Sequence, residues 1–317
     1  MSLFNPDKIQ VGISSCLLGD LVRYNGGHKA SNFCIHDVAP HVEYVSVCPE
    51  MAIGMGTPRP AIRLVKHEDV LHLQSSDGKV DVTEAMQQFA AEKVPELSHL
   101  SGYLVCQKSP SCGMERVPEY SAKTGQGTKS GIGMFTQKLM ETYPHLPVEE
   151  DGRLHDLLIR ENFFTRLYAH HDWQKLVHAG LTKHSLIQFH SRYKYLLMAH
   201  SPKHYKSMGQ LLANMDDLDS IQAIYFHRLM SALAMKPNKK NHTNTLQHLQ
   251  GYFKKHLSAA QKKELSDAIL KYRKGWVPLL VPITLIQHYL MEYPSDYLAQ
   301  QVYLQPYPES LKLRYAY

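Results

Sequence analysis

Near residue 155 the hydrophobic pattern of this 317-residue chain changes period, and that change decides what it can fold into. Before it, β-branched runs end in Gly, Pro or Ser turns. KIQVGISSCLLG, VEYVSVCPEMAIGMGTPRP and LSGYLVCQ read as three strands, each running into a loop. Between them, DVTEAMQQFAAEKV over 81–94 has helical spacing, with Asp81 or Thr83 placed to cap it, and GIGMFTQKLMETYP reads as another helix. This alternation predicts an α/β domain over 1–150 with a small, mostly parallel, Rossmann-like sheet. Beyond the change, apolar residues recur at helical spacing in DLLIRENFFTRLYAHHDWQKLVHAG, LIQFHSRYKYLLMAH, QLLANMDDLDSIQAIYFHRLMSALAM and three later runs. That predicts an all-α domain over 155–317, ending in a Tyr/Pro-rich tail without an assigned element.

Charge follows the same division. Residues 1–150 hold 13 Lys and Arg against 17 Asp and Glu, and the remainder holds 22 against 12. A basic half joined to an acidic half points to a polyanionic partner for the basic part. The chain has no uninterrupted apolar run of about 18 residues, so no membrane span is expected. MSLFNPDKIQ lacks an apolar run behind a basic end, and five cysteines do not suggest a disulfide framework. The expected location is the cytoplasm.

Three cysteines share a setting: Cys16 after VGIS, Cys48 after EYVSV, and Cys112 just beyond YLVCQ in the turn KSPSCG. Ligands of open α/β sheets gather outside the carboxyl ends of strands, where these three can converge. Spacing alone leaves three arrangements open: an iron–sulfur cluster, a zinc ion, or plain buried or reactive thiols. Cys106, inside YLVCQ, reads as core, and Cys34 as structural or incidental. Glu50, two residues past Cys48, is a candidate proton-transfer group. Ser109 and Ser111 flank Pro110 and are candidates to orient a water or relay its proton.

Lys108 is placed to polarise a ring carbonyl or hold a phosphate, and Arg59 to grip a phosphate or pin its own loop. The segment TGQGTKSG, with Lys129, departs from GxxxxGK[ST]; contact with an RNA phosphate at the start of the next helix is the better reading. In the helical half, Arg166, Lys194, Lys236, Lys239 and Lys240 are candidate RNA contacts, KPNKKNH being the densest basic patch. The adjacent His170 and His171 diverge by about 100° on a helix and do not suit one shared ion.

Several of these pieces together resemble a known family. Ser15-Cys16-Leu17-Leu18-Gly19, Tyr24-Asn25-Gly26, Cys48-Pro49-Glu50 running to Gly54, Gly56 and Pro58-Arg59, and Lys108-Ser109-Pro110-Ser111-Cys112-Gly113 are similar to the thiouracil desulfidase family, over roughly 8–150. The resemblance implies that Cys16, Cys48 and Cys112 hold a [4Fe-4S] cluster with one iron not ligated by protein. That iron would accept a thiocarbonyl sulfur while Glu50 and a serine manage protons. Arg160 to Tyr168, His170-His171-Asp172-Trp173, Phe189-His190 and Lys194 to His200 resemble the helical domain often fused to it.

The fused pair is similar to bacterial tRNA 4-thiouridine desulfidases. It implies a non-redox, iron–sulfur-dependent enzyme converting 4-thiouridine in tRNA to uridine with release of sulfide. Thiolated tRNA, small thiopyrimidines and the cluster-assembly machinery are the implied partners. Two alternatives stand beside it: a desulfidase acting on free thiouracil or thiouridine, and a cluster-containing nucleic-acid-binding sensor without catalysis.

Overall fold

The computed structural model describes residues 7–215, 217–311 and 313–314. The chain divides into two compact units, Met1–His155 and Asp156–Tyr317.

The first unit is α/β. Strands β1 (Ile9–Ser14), β2 (Val42–Val47), β3 (Ile62–His67), β4 (Val70–Ser75), β5 (Gly102–Val105), β6 (Val117–Ser121), β7 (Gly127–Gly131) and β8 (Val148–Glu150) alternate with helices α1 (Pro49–Ala52), α2 (Thr83–Glu96) and α3 (Met134–Thr142). One sheet has the order β2-β1-β5-β8 and every pairing in it is parallel. Ile9 faces Val42 and Ser14 faces Val47, so β1 and β2 end level with each other. Met86, Ala90 and Val94 of α2 and Phe135 and Leu139 of α3 pack with Tyr103 and Val105 in one core cluster.

A second sheet, β4-β3-β6-β7, is mixed: β3 pairs antiparallel with β4 and parallel with β6, and β6 pairs antiparallel with β7. It takes up the stretch expected to be loop. Thr124–Gly131 is therefore a hairpin tip and its return strand, and Lys129 of β7 pairs with Pro118 of β6. Lys129 lies four residues before the extended residue Gly133 that precedes α3, on a strand and not in the first turn of the helix. Asp81 does not cap α2 as expected. Its carboxylate accepts from the Thr83 amide at 2.9 Å and fixes the entry to the helix.

The second unit consists of helices: α4 (Leu157–His178), α5 (Lys183–His200), α6 (Pro202–Ala213), α7 (Leu218–Ala234), α8 (Lys239–Tyr252), α9 (Ala259–Lys274), α10 (Leu280–Glu292) and the short α11 (Asp296–Ala299). Local chemistry starts most of them. Asp156, Thr182, Ser201, Asp217, Asn238 and Ser258 each accept a hydrogen bond from an amide of the first turn of the helix that follows. Trp173 stacks on Tyr225 and Phe226 in the core, and Phe189 stacks on Tyr193. His170 and His171 are buried beside them on α4. No helix among the described residues is long and apolar enough to cross a membrane.

Candidate functional site

Strands β1, β2 and β5 run in the same direction, so their carboxyl ends open on one side of the sheet. A cavity of about 410 Å³ lies there. Cys16, Cys48, Cys106 and Cys112 all line it, with Glu50, Ser14, Lys29 and Ser109. Cys106, read from the sequence as core, is buried at 8% exposure and lines the cavity as well. It stands one residue past the end of β5, the same place Cys48 holds past β2. That shared position is the sequence signal that identifies it. Cys34, fully buried in Phe33–Val38, stays structural; its carbonyl accepts from the Tyr44 hydroxyl at 2.9 Å.

Cys112 sits in a turn because the turn is locked from behind. Met134 and Phe135 at the start of α3 donate their amides to the carbonyls of Pro110 and Ser111, each at 3.0 Å. The Thr136 hydroxyl donates to the Cys112 carbonyl at 2.7 Å. Helix amides that would otherwise need a cap thus fix the KSPSCG turn. Inside it, Ser109 Oγ accepts from the amides of Ser111 (3.3 Å) and Cys112 (3.1 Å). Ser109 lines the cavity, whereas Ser111 is fully buried outside it and its Oγ has no hydrogen-bond partner.

The thiols differ in character. Cys16 hydrogen-bonds to Cys106, which holds the Cys16 thiol up; burial and the neighbouring Cys106, Cys112 and Glu50 charges add to this. The same bond pulls Cys106 down, helped by the charges of Lys29 and Arg23, so Cys106 is the readier thiolate of the two. Burial, and then Glu50, push Cys48 up to about 11. The Cys48 thiol donates to Glu50 Oε2 at 3.4 Å. Burial holds Cys112 well above the ordinary thiol range.

The cations at the mouth are tied to the backbone or to acids. Lys29 pairs with Asp151 at 2.9 Å, and Asp151 also accepts from the Gln107 amide at 2.9 Å. Arg59 donates to the carbonyls of Gly56 (2.7 Å) and Val22 (2.9 Å), pinning its loop through carbonyls rather than a carboxylate. Lys108 lines the cavity with a backbone φ of 61°, a conformation few side chains adopt.

The cluster expectation is corrected here. Among the described residues, no three His, Cys, Asp or Glu side chains are grouped so that they could hold a metal ion. The physical reason lies in the donors. The cavity thiols engage their neighbours and do not close on one point: Cys16 hydrogen-bonds to Cys106, and the Cys48 thiol donates to Glu50 Oε2 at 3.4 Å. The [4Fe-4S] cofactor, the iron–sulfur-dependent conversion of 4-thiouridine in tRNA and the cluster-based sensor are accordingly not carried by this site. An iron–sulfur-dependent enzyme on free thiouracil falls with them.

The remaining candidates lie in the second unit or on the second sheet. Lys129 is exposed on β7. Arg166 Nε donates to Asn162 Oδ1 at 3.0 Å, and the Lys194 ammonium lies 5.2 Å from the Tyr195 ring centre. Lys240 is exposed in the first turn of α8, while Lys236 and Lys239 line a second cavity.

Comparison with known proteins agrees with this architecture. Residues 11–151 match the family model described as 2-thiouracil desulfurase, and residues 194–308 match one described as a protein of unknown function, DUF1722. The uncharacterized protein YbgA of Escherichia coli strain K12 is 36% identical over 154 residues, covering 48% of this chain and 91% of YbgA. The uncharacterized protein YbbK of Bacillus subtilis strain 168 is 30% identical over 154 residues, 46% of this chain and 98% of YbbK. The chain belongs to a thiouracil-desulfurase-like family. The homology is partial, since the desulfurase model ends where the helical unit begins. A solved [4Fe-4S]-dependent thiouracil desulfidase, TudS, is 28% identical over 49% of this chain and 98% of its own, with a TM-score of 0.39, too low to carry anything across.

Proposed function

We propose that the first unit is a desulfurase for thiocarbonyl pyrimidines of the 2-thiouracil class, working in the thiol-lined cavity. One observation carries the reading: four thiols and the Glu50 carboxylate face a single cavity at the carboxyl ends of three parallel strands. The family-level match to 2-thiouracil desulfurase supports it.

The net reaction exchanges C=S and water for C=O and hydrogen sulfide. Glu50 takes a proton from water as the oxygen adds to the ring carbon. Charge then collects on sulfur, a soft acceptor, and buried S–H groups are matched donors for it. Collapse of the tetrahedral species expels hydrosulfide, which takes up the proton that Glu50 holds. Lys108, on the cavity wall, orients the ring oxygen. Ser109 holds the turn that carries Cys112. Losing a proton-transfer group of this kind costs about 10²–10⁴-fold in rate.

The basic second unit supports a further part of the proposal, that tRNA is the partner it attracts. All five cysteines are free thiols, in keeping with a reducing cytoplasm as the place of action.

The purified full chain incubated with 2-thiouracil is expected to yield uracil and sulfide in equal amounts, followed by chromatography and a sulfide assay. Glu50→Gln should slow both by about 10²-fold or more. Uracil formation no faster than without protein sinks the reading; full activity in the Glu50→Gln chain would move the proton path to another group.

A further inference from the structure

The helical unit contains a second cavity, of about 220 Å³, which the desulfurase reading does not use. Arg314, Lys236, Lys239, His200, His242 and Glu161 lie on its wall. Arg314 is 6% exposed and, being a guanidinium, keeps its charge there. Its Nη2 donates to the Tyr303 carbonyl at 2.7 Å and its Nη1 to the Leu304 carbonyl at 3.2 Å. Its Nε makes no hydrogen bond, with Glu161 Oε1 at 3.5 Å. Glu161 is itself shared with the Tyr307 hydroxyl at 2.9 Å. Neither Lys236 nor Lys239 forms an ion pair among the described residues.

The histidines do not alter this balance. His200 bonds to the Met235 carbonyl through Nδ1 at 2.8 Å, and His242 to the Tyr303 hydroxyl at 2.9 Å. Burial keeps both rings neutral at neutral pH. Three cations therefore share the wall of a small space with one carboxylate, an excess of positive charge that favours an anion there.

The shape of the charge selects the anion. The fork of Arg314 is already spent on two carbonyls, so it is not free for the bidentate grip that a carboxylate prefers. What remains are point charges and the start of α8. Asn238 caps only the Asn241 amide, at 2.9 Å, which leaves the amides of Lys239 and Lys240 at the positive end of a 14-residue helix. Point charges beside helix amides suit a tetrahedral, multiply charged oxyanion.

We infer that this cavity is a phosphate-binding site, taking the phosphate of a nucleotide, either free or part of an RNA strand. The space holds a phosphate and part of its ester, not a folded partner.

Calorimetry on the full chain with inorganic phosphate, uridine 5′-monophosphate and a short single-stranded RNA tests it. Lys236→Met with Lys239→Met keeps the aliphatic stems and removes two charges. Each lost charged contact should weaken phosphate and nucleotide binding by about tenfold. Lys203→Met with Lys263→Met, both exposed and outside this cavity, should leave them unchanged. If the RNA displaces phosphate, the source is a strand phosphate; if the mononucleotide binds and the RNA does not displace it, the source is a free nucleotide. The exposed Lys236→Met alone gives the smaller loss should the double variant fail to fold. Absence of phosphate and nucleotide binding at millimolar concentration, or folded lysine variants within about twofold of the parent, overturns the inference.

Discussion

At the residue scale, the two serines of KSPSCG separate cleanly. Ser109 Oγ is the acceptor for two amides, and Ser111 Oγ is buried without a partner. Removing an acceptor strands its donors, which costs about 1–3 kcal/mol for a buried group, while removing an unpaired hydroxyl costs little or nothing. Ser109→Ala is therefore expected to lower stability by about 1–3 kcal/mol, and Ser111→Ala to leave it level or raise it. Urea denaturation of both variants checks this; a Ser111→Ala chain destabilised as much as Ser109→Ala would show that the Ser111 hydroxyl has a partner. The pair was not separable in the sequence, because serine, proline and cysteine in a turn say nothing about which hydroxyl faces inward. Cys106 was legible as buried but not as a cavity-lining thiol. Its apolar neighbours in YLVCQ made it look like core, and low exposure alone does not distinguish a core thiol from one facing a cavity.

At the scale of elements, α3 and the KSPSCG turn behave as one piece. Gly133 enters α3 against the turn, and a Cβ on it would lie 2.5 Å from the Ser111 carbonyl carbon and 2.6 Å from the Cys112 nitrogen. Its φ of −62° suits any residue, so the need for glycine is steric alone. Both obstacles are backbone and cannot rotate away. Gly133→Ala should cost about 1–3 kcal/mol, as overpacking does, and should displace Cys112. Denaturant midpoints read the first effect, and the rate at which an alkylating reagent labels Cys112 under native conditions reads the second. Parental values for both would show that the turn yields freely.

The parallel strands β1, β2 and β5 were legible because β-branched runs stop abruptly at turn residues. The second sheet was not. β7 is GTKSG, whose composition signals a turn, and only its pairing with β6 makes it a strand. The run at 210–235 reads as continuous helical spacing, yet the chain breaks it between Ala213 and Leu218 and restarts on the Asp217 cap.

At the scale of the whole molecule, the division of fold coincides with the division of charge. The acidic α/β half carries the thiol cavity, and the helical half carries 22 Lys and Arg against 12 Asp and Glu. Composition made that asymmetry visible, but not which cations face solvent. Lys240, Lys254 and Lys255 are exposed, while Arg314 is buried. Exposed cations bind a polyanion by releasing its counterions, so each phosphate contact adds about 0.7–0.9 to the slope of log affinity against log salt. If the helical half attracts tRNA, replacing Lys240, Lys254 and Lys255 together by Gln should flatten that slope by about two units, and affinity at low salt should fall. Turnover of free 2-thiouracil should not change, because none of the three lines the cavity of the first unit. Binding measured by fluorescence anisotropy from low to moderate salt decides the matter. A slope equal to the parent's shows that these three lysines contact no phosphate. A parental slope that is flat from the outset shows that tRNA is not the partner this charge serves.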